Sequence, residues 1–400
     1  MTAKKLFGYL HLWLGLASGL VVLVVALTGA LYVFQDEIET RLLHPERHFV
    51  AVQANRPYAP LAVWQRHADA AFAPYHADSL SSGRSFYWRP DTPGRTAVAS
   101  TTYRAQGEER YVEAFLNPYT GQVLAVAETW APGSLWRTVI DLHINLLLGE
   151  AGGQMVRWAT LFFLLLLVSG IVLWWPKNKA ALNQRYRFRW KDTTRWKRKT
   201  YDLHNVLGFY ASWVVVFMAI TGLVWTFKWV ENSFYFVLAG GQPAAEVPEI
   251  KSRQPSRATA VAGLFAGFCR TQPGAYAEAR SVYVDYPSDT AGVFRVTTEF
   301  DPPGIVAADN RAFLYDRATG RLLRAGDGWE GRPRRHAADW WRDFNGSIHY
   351  GAIFGLPSKL LAFFGCLVVA SLPVTGTLVW WNRRNKAVKK GKGVRVAAVA

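Results

Sequence analysis

Four stretches of the chain, residues 7–34, 155–176, 203–228 and 356–381, are apolar over lengths that only a bilayer or a very large core could bury. About 20 consecutive apolar residues, at roughly 1.5 Å each, cross a hydrocarbon layer about 30 Å thick. Tryptophan and basic residues gather at the ends of these stretches, as they do at membrane–water boundaries. The intervening segments, 36–142 and 230–348, alternate apolar and polar positions over short runs. In the first, Pro60 to Phe72 has a helical pattern, and strand-like runs follow around Ser85–Trp88, Thr96–Tyr103 and Tyr111–Leu116. Ala-Phe-Leu at 114–116, the turn NPYTG and Gln122-Val123-Leu124 form a hairpin signal. The second segment repeats it as Ala-Phe-Leu at 312–314, YDRATG and Arg321-Leu322-Leu323.

The apolar stretches are themselves duplicated. His11, Gly15 and Thr28-Gly29 recur 193 positions later as His204, Gly208 and Thr221-Gly222. His143, Gly149, Ser169-Gly170 and Trp174-Trp175 recur 206 positions later as His349, Gly355, Thr375-Gly376 and Trp380-Trp381. The expected fold is therefore membrane α-helical, with four transmembrane helices in two parallel in–out–in repeats. Each repeat carries one small α+β extracytoplasmic domain, and a pseudo-twofold axis along the membrane normal relates the two.

Charge sets the expected orientation. The formal net charge is +17. Lys4 and Lys5, ten basic residues between Lys177 and Lys199, and seven from Arg383 to Arg395 face one acid, Asp192, so the rest of the chain is nearly neutral. Basic loops stay inside, which places both termini, the 177–201 loop and the 382–400 tail on the cytoplasmic side and the α+β domains outside. Basic residues at membrane ends need no nucleic acid to explain them. The first apolar run is longer than the ~7–15 residues of a signal core, so it reads as a retained span. Cys269 and Cys366 fall at different depths, which disfavours a disulfide, and no CxxCH is present for covalent haem attachment.

Four of the nine histidines occupy the repeated positions. Symmetry puts His11 and His204 at one level, near the cytoplasmic surface, and His143 and His349 at another, near the external surface. Neutral imidazoles from two helices can grip a haem iron on both faces. Two haem b groups would then lie one above the other, separated by roughly 33 Å if the second sits at the far end of a 22-residue rise. Lys4, Lys5, Arg198 and Lys199 on one side and Arg137 and Arg342 on the other are cations suited to haem propionates. A structural zinc would want four ligands in one place, where each level offers two. His44 and His48 flank Pro45, and His67, His76 and His336 show no partner. The Thr-Gly and Ser-Gly pairs suit close packing of helices or of a flat cofactor. Trp174-Trp175 and Trp380-Trp381 suit an interfacial belt. Arg332, Arg334, Arg335 and Arg342 with Trp340 and Trp341 form a basic aromatic strip for lipid headgroups or an anionic metal chelate.

The segments HLWLGLASGLVVLVVALTGALYVFQDEI and LHNVLGFYASWVVVFMAITGLVW, the NPYTGQVL hairpin and the TGTLVWW ending of the last span resemble the PepSY-associated transmembrane family, also called iron-regulated membrane proteins. The resemblance covers nearly the whole chain. It implies PepSY-like periplasmic domains and haem ligation by His11, His143, His204 and His349, as in FoxB-type inner-membrane ferrisiderophore reductases. The expected activity is a haem-dependent oxidoreductase that takes electrons from a cytoplasmic donor and reduces a ferric siderophore in the periplasm, releasing iron. No GxGxxG follows a strand, so the donor is a separate molecule. Two other classes fit the same pattern: a membrane-anchored PepSY binding or regulatory protein without enzymatic activity, and a transporter built on parallel repeats.

Overall fold

The computed structural model describes residues 2–75, 83–105, 108–176, 185–244, 261–287, 291–302 and 308–397, with the single positions 178, 182, 250, 251 and 306. His76 and Lys177 lie outside the described residues, as do the side chains from residue 385 onward. The chain divides into a helical bundle of residues 1–34, 138–234 and 344–400 and a sheet domain of residues 35–137 and 235–343.

Four helices of the bundle are long and apolar enough to cross a membrane: α1 (Ala3–Val33), α4 (Gly149–Trp174), α5 (Trp196–Thr226) and α9, whose apolar part is Leu356–Arg384. In cyclic order α1 packs on α4, α4 on α5, α5 on α9 and α9 back on α1. Val22, Ala26, Leu167, Val215, Val369 and Ala370 meet in the middle. Outward-facing Leu20, Trp213 and Phe364 are exposed, a distribution that water would punish and lipid satisfies. Small residues set the approach of the helices. A methyl on Gly19 would lie 3.2 Å from the ring of Pro373. That proline sits inside α9, where it removes one helical hydrogen bond just before Thr375-Gly376.

The sheet domain holds eight antiparallel strands in the order β4-β3-β2-β1-β5-β6-β7-β8. They are β1 (Arg84–Trp88), β2 (Ala97–Ala105), β3 (Glu108–Leu116), β4 (Val123–Ala127), β5 (Ser281–Tyr286), β6 (Phe294–Phe300), β7 (Asp309–Tyr315) and β8 (Leu322–Asp327). Both predicted hairpins form, and the register slips at the same place in each half, between Phe115 and Leu116 and between Leu314 and Tyr315. One expectation changes. The two α+β halves are not separate domains, because β1 pairs with β5 and places Phe86 opposite Val284. Pairing the two exposed edges satisfies backbone groups that would otherwise face solvent. Helix α6 (Lys228–Leu238) follows α5 in the chain, and helices α2 (Leu61–Phe72) and α7 (Val261–Thr271) cover one face of this joint sheet. Trp88 touches Trp64 of one half and Phe265 of the other, with ring centres 5.2 and 5.3 Å away, so the core is shared.

Phe86 is 1 % exposed at the joint. Phe86→Ala is expected to cost about 3–5 kcal/mol through lost burial and a residual cavity. A lowered denaturant midpoint for the sheet domain, followed by near-UV circular dichroism of the purified full chain, checks this.

Candidate functional site: two histidine pairs in the bundle

The four repeated histidines meet as two pairs. His11 faces His204 with ring centres 6.3 Å apart and planes at 89°. His143 faces His349 at 6.2 Å and 77°. Each pair takes one ring from each repeat, as symmetry requires.

What holds each ring comes from its own repeat. His11 Nδ1 lies 2.9 Å from Ser169 Oγ, and His143 Nδ1 lies 3.1 Å from Thr28 Oγ1. In the second repeat His204 Nδ1 lies 3.0 Å from Thr375 Oγ1, and His349 Nδ1 lies 2.9 Å from Thr221 Oγ1. Each threonine hydroxyl already donates to a carbonyl one turn back on its own helix, Thr28 to Val24, Thr221 to Phe217 and Thr375 to Ser371. Ser169 donates likewise to Leu166. The hydroxyl is therefore left to accept. His143 and His349 also reach the carbonyls of Val25 and Met218 at 3.0 Å, and a carbonyl can only accept. Nδ1 must carry the proton, which leaves Nε2 with a free lone pair in all four rings.

The glycine after each hydroxyl is where the ring edge lands. A methyl on Gly29, Gly170, Gly222 or Gly376 would lie 3.1, 3.3, 3.3 or 3.0 Å from Cε1 of His143, His11, His349 or His204 respectively. The Ser/Thr-Gly pairs are thus imidazole rests, and helix packing is not their main role. Spacing alone did not distinguish the two. The signal was present in the sequence, since each pair belongs to the same repeat as the histidine it holds.

These contacts also correct the expected depth of the second pair. His143 lies opposite Val25 and Thr28, not at the Val33 end of α1. Fourteen residues separate His11 from Val25, or about 21 Å of helix rise, where 33 Å was expected. The reason is that α3 (Leu135–Asn145) enters the bundle before the chain turns back into α4. The reversal uses left-handed backbone at Leu146 and Leu147, φ 55° and 60°, and at Gly149. Two adjacent leucines in that region are strained, and such strain persists only where surrounding contacts impose it. In the second repeat α8 (Ala337–His349) plays the part of α3, and Gly351 and Gly355 take the left-handed positions. His204 lies in a π-helical turn, Leu203–Leu207, a local widening often found at functional positions.

Near the His143–His349 pair are aromatic residues with no counterpart at the other level among the described contacts. Trp225 stands edge-on to His349 at 4.9 Å, and Tyr350 lies 6.0 Å from Trp225 and 6.1 Å from Tyr32. Asn345, 3 % exposed, donates to the Thr221 carbonyl and so fixes α8 against α5 one turn before His349.

The proposed propionate cations fare unevenly. Arg137 lies on α3, six residues before His143. Arg342 is already engaged, donating to Asp339 at 3.0 Å and lying over the Tyr235 ring. Arg198 pairs with Asp202 at 2.9 Å, Lys199 lies over Trp190, and Lys4 reaches only the Trp175 carbonyl, at 3.5 Å. Arg383, which spacing did not single out, is near enough to His204 for its charge to act there. The expected basic strip is largely neutralised, since Arg334 binds Asp309 and Asp343 and Arg332 binds Glu330. Of the doubled tryptophans, Trp174 is buried and stacks on Phe209 at 3.7 Å, whereas Trp175 is exposed. His48 is buried against Phe115, His67 bonds the Gly121 carbonyl and His44 pairs with Glu46. The His336 backbone N–H donates to Asp339. Cys269 and Cys366 are both free.

An iron porphyrin is the group these four imidazoles would be expected to hold. An imidazole nitrogen sits about 2 Å from a bound transition metal. The ring centre lies roughly 1 Å behind that nitrogen, so two imidazoles on opposite sides of one ion put their ring centres roughly 6 Å apart. Both pairs meet that spacing with Nε2 available.

Four spanning helices around half-buried histidine pairs, with a separate antiparallel sheet region, define a multi-pass membrane protein. The chain belongs to the PepSY-associated TM region family, whose model matches residues 9–383. No curated protein matches it.

Asp339 organises the start of α8, accepting the N–H groups of Arg335 and His336 and the Tyr235 hydroxyl besides Arg342. Burial alone would raise its carboxyl, but these donors hold it below the usual range. The stabilisation is complete above the unfolded value of about 3.9 and is lost as pH falls through the lower folded value. Asp339→Asn should therefore remove the part of the acid-side stability loss that Asp339 causes, which thermal melts of both proteins between pH 2 and 7 will show.

Proposed function

We propose that the protein is a di-haem b-type cytochrome of the bacterial inner membrane that carries electrons to the periplasm and reduces a ferric siderophore there. One observation carries this reading: two facing imidazole pairs with ring centres 6.2–6.3 Å apart, every Nδ1–H committed and every Nε2 free. Haem would suit such pairs: His11 with His204 and His143 with His349 would hold one each, in a flat apolar space.

The basic segments around Lys4, Lys191 and Arg383 put both termini inside, so the His11–His204 pair serves the cytoplasmic side and the His143–His349 pair the periplasmic side. When bound, haem supplies a one-electron Fe(III)/Fe(II) couple at each level. The chain's own residues do the rest. Ser169, Thr28, Thr375 and Thr221 fix the tautomer and make each imidazole a stronger donor. Val22, Ala26, Leu167 and Val369 keep water from the space between the levels. Arg383 offers positive charge near His204, and the aromatic group of Trp225 and Tyr350 borders the periplasmic pair. Reduction of the chelated ferric ion to the ferrous state weakens hard-oxygen coordination, so iron is released.

Purified protein should show a Soret band, a reducible α-band and two haems per chain. His349→Ala should leave about one haem per chain, by pyridine haemochrome assay. The near-perpendicular ring planes should give strongly anisotropic low-spin ferric electron paramagnetic resonance signals. Thr221→Val keeps the shape and removes the hydroxyl, so it should lower haem retention at one site by about 10–100-fold. Absence of haem from protein made in haem-replete cells would leave an anchored binding protein in place of a reductase. Reduced protein mixed with a ferric siderophore and a ferrous-iron chelator then tests the substrate.

A further inference from the structure

We infer that a cavity in the second half of the sheet domain, between the end of α7 and strands β7 and β8, binds a free aromatic amino acid. The site is separate from the histidine pairs and lies wholly within the sheet domain. Its volume is about 460 Å³, within the usual range for small-ligand sites, and Gln272, Gly274, Arg311, Phe313, Ala325 and Asp327 are among the residues around it.

The other half of the same sheet has this place filled. The register slips lie 199 positions apart, at Leu116 and Tyr315, so Val112 corresponds to Arg311 and Glu128 to Asp327. The covering helices end in the same step, at Phe72 and Thr271, and are followed by Ala73-Pro74-Tyr75 and Gln272-Pro273-Gly274. In the first half Val112 is 0 % exposed, and the Tyr75 ring stands edge-on to Tyr103 at 5.1 Å. The Tyr103 hydroxyl donates to Glu128 at 2.6 Å, and Arg110 pairs with the same carboxylate at 3.6 Å.

Each of those fillers is replaced in the second half. Gly274 stands for Tyr75, and a methyl placed on it would meet nothing within 4 Å. Arg311 stands for the buried valine. Phe300 stands for Tyr103, since Thr101 pairs with Val112 as Thr298 pairs with Arg311, and it has no hydroxyl to give Asp327. Asp309 stands for Arg110 and is bound to Arg334. A closed aromatic edge of the core has become a hole with a cation and a carboxylate at its rim.

Arg311 and Asp327 are cross-strand partners, a position where opposite charges ordinarily attract each other. Here they stay apart. The guanidinium lies over the Phe300 ring at 4.2 Å and reaches Glu278 only at 3.9 Å, and the Asp327 carboxylate has no hydrogen-bonded or ionic partner among the described residues. Complementary charges held apart beside a space the size of an aromatic side chain fit a zwitterion. Its carboxylate meets Arg311, whose planar fork suits two oxygens, and its ammonium meets Asp327. Its ring takes the room that Tyr75 occupies in the other half, beside Phe313.

Full-length detergent-solubilised protein is titrated with L-phenylalanine by calorimetry, in mildly acidic buffer that keeps every amine compared in its charged form. Saturable binding of one molecule per chain is expected. L-phenylalaninamide lacks the carboxylate, N-acetyl-L-phenylalanine lacks the ammonium and L-alanine lacks the ring. Each should bind at least roughly tenfold more weakly, the size of one lost hydrogen bond to a charged group or one lost buried ring. Arg311→Gln should erase the preference over the amide, and Asp327→Asn the preference over the N-acetyl compound. Gly274→Tyr refills the space as Tyr75 does, so it should abolish binding with the melting temperature kept or raised. No saturable binding of L-phenylalanine, equal affinity for the analogues, or unaltered binding by folded Gly274→Tyr protein would overturn the inference. So would a peptide with N-terminal phenylalanine that binds more tightly than the free amino acid, which would make the occupant a peptide end. The analogues are compared on unmodified protein, so their outcome decides the matter even where Gly274→Tyr fails to fold.

Discussion

Everything in the bundle depends on one hydrogen bond made four times, from imidazole Nδ1–H to a hydroxyl on the facing span of the same repeat. It explains why a serine or threonine must be there, because alanine would leave a buried N–H partly unmet. It explains why glycine must follow, because the ring lies against the backbone at that point. It also explains why the histidines come in pairs, since with Nδ1 occupied the remaining nitrogen of each ring is free to face the ring supplied by the other repeat. The bond lies within a repeat, and the pairing lies between repeats. Neither repeat alone makes a two-sided site.

The sheet domain uses duplication in the same way by different means. Each half brings four strands and one covering helix, with matching register slips beside the closing turn, β3–β4 and β7–β8. The halves meet through backbone pairing at Phe86 and Val284, and the buried face is completed by side chains from both. Trp88 needs Trp64 from its own half and Phe265 from the other. The opposite face inherits polar residues from both halves, and only the joining of β1 to β5 sets Ser85 beside Asp285 and Tyr87 beside Tyr283.

Much of this was legible in the chain. Apolar length gave the spans, the constant offsets gave the histidine pairs, and the Ala-Phe-Leu turns gave the closing hairpins. What could not be read depends on long-range geometry. Whether two α+β segments share an edge is decided by β1 and β5, which are separated by nearly half the chain. The level of His143 is not legible in the sequence, because only its contacts with Val25 and Thr28 show that residues 135–145 enter the bundle. Arg342 reads as available because spacing alone does not say that Asp339, three residues earlier, engages it. The Ser/Thr-Gly pairs suit helix packing and a flat cofactor equally well in the sequence, which does not say which side chain rests on a glycine.

The spacing of the two pairs along α1 has an electrical consequence. About 21 Å of rise is roughly two-thirds of a 30 Å hydrocarbon layer. A single elementary charge carried between those levels would thus do work against most of the membrane voltage, about 1.5 kcal/mol per 100 mV at that fraction. Because the interior between the pairs is packed with valine, alanine and leucine, no mobile ions are there to screen the field. Traffic between the two histidine levels would therefore be coupled to the energised state of the cell, helped or opposed according to its sign and direction.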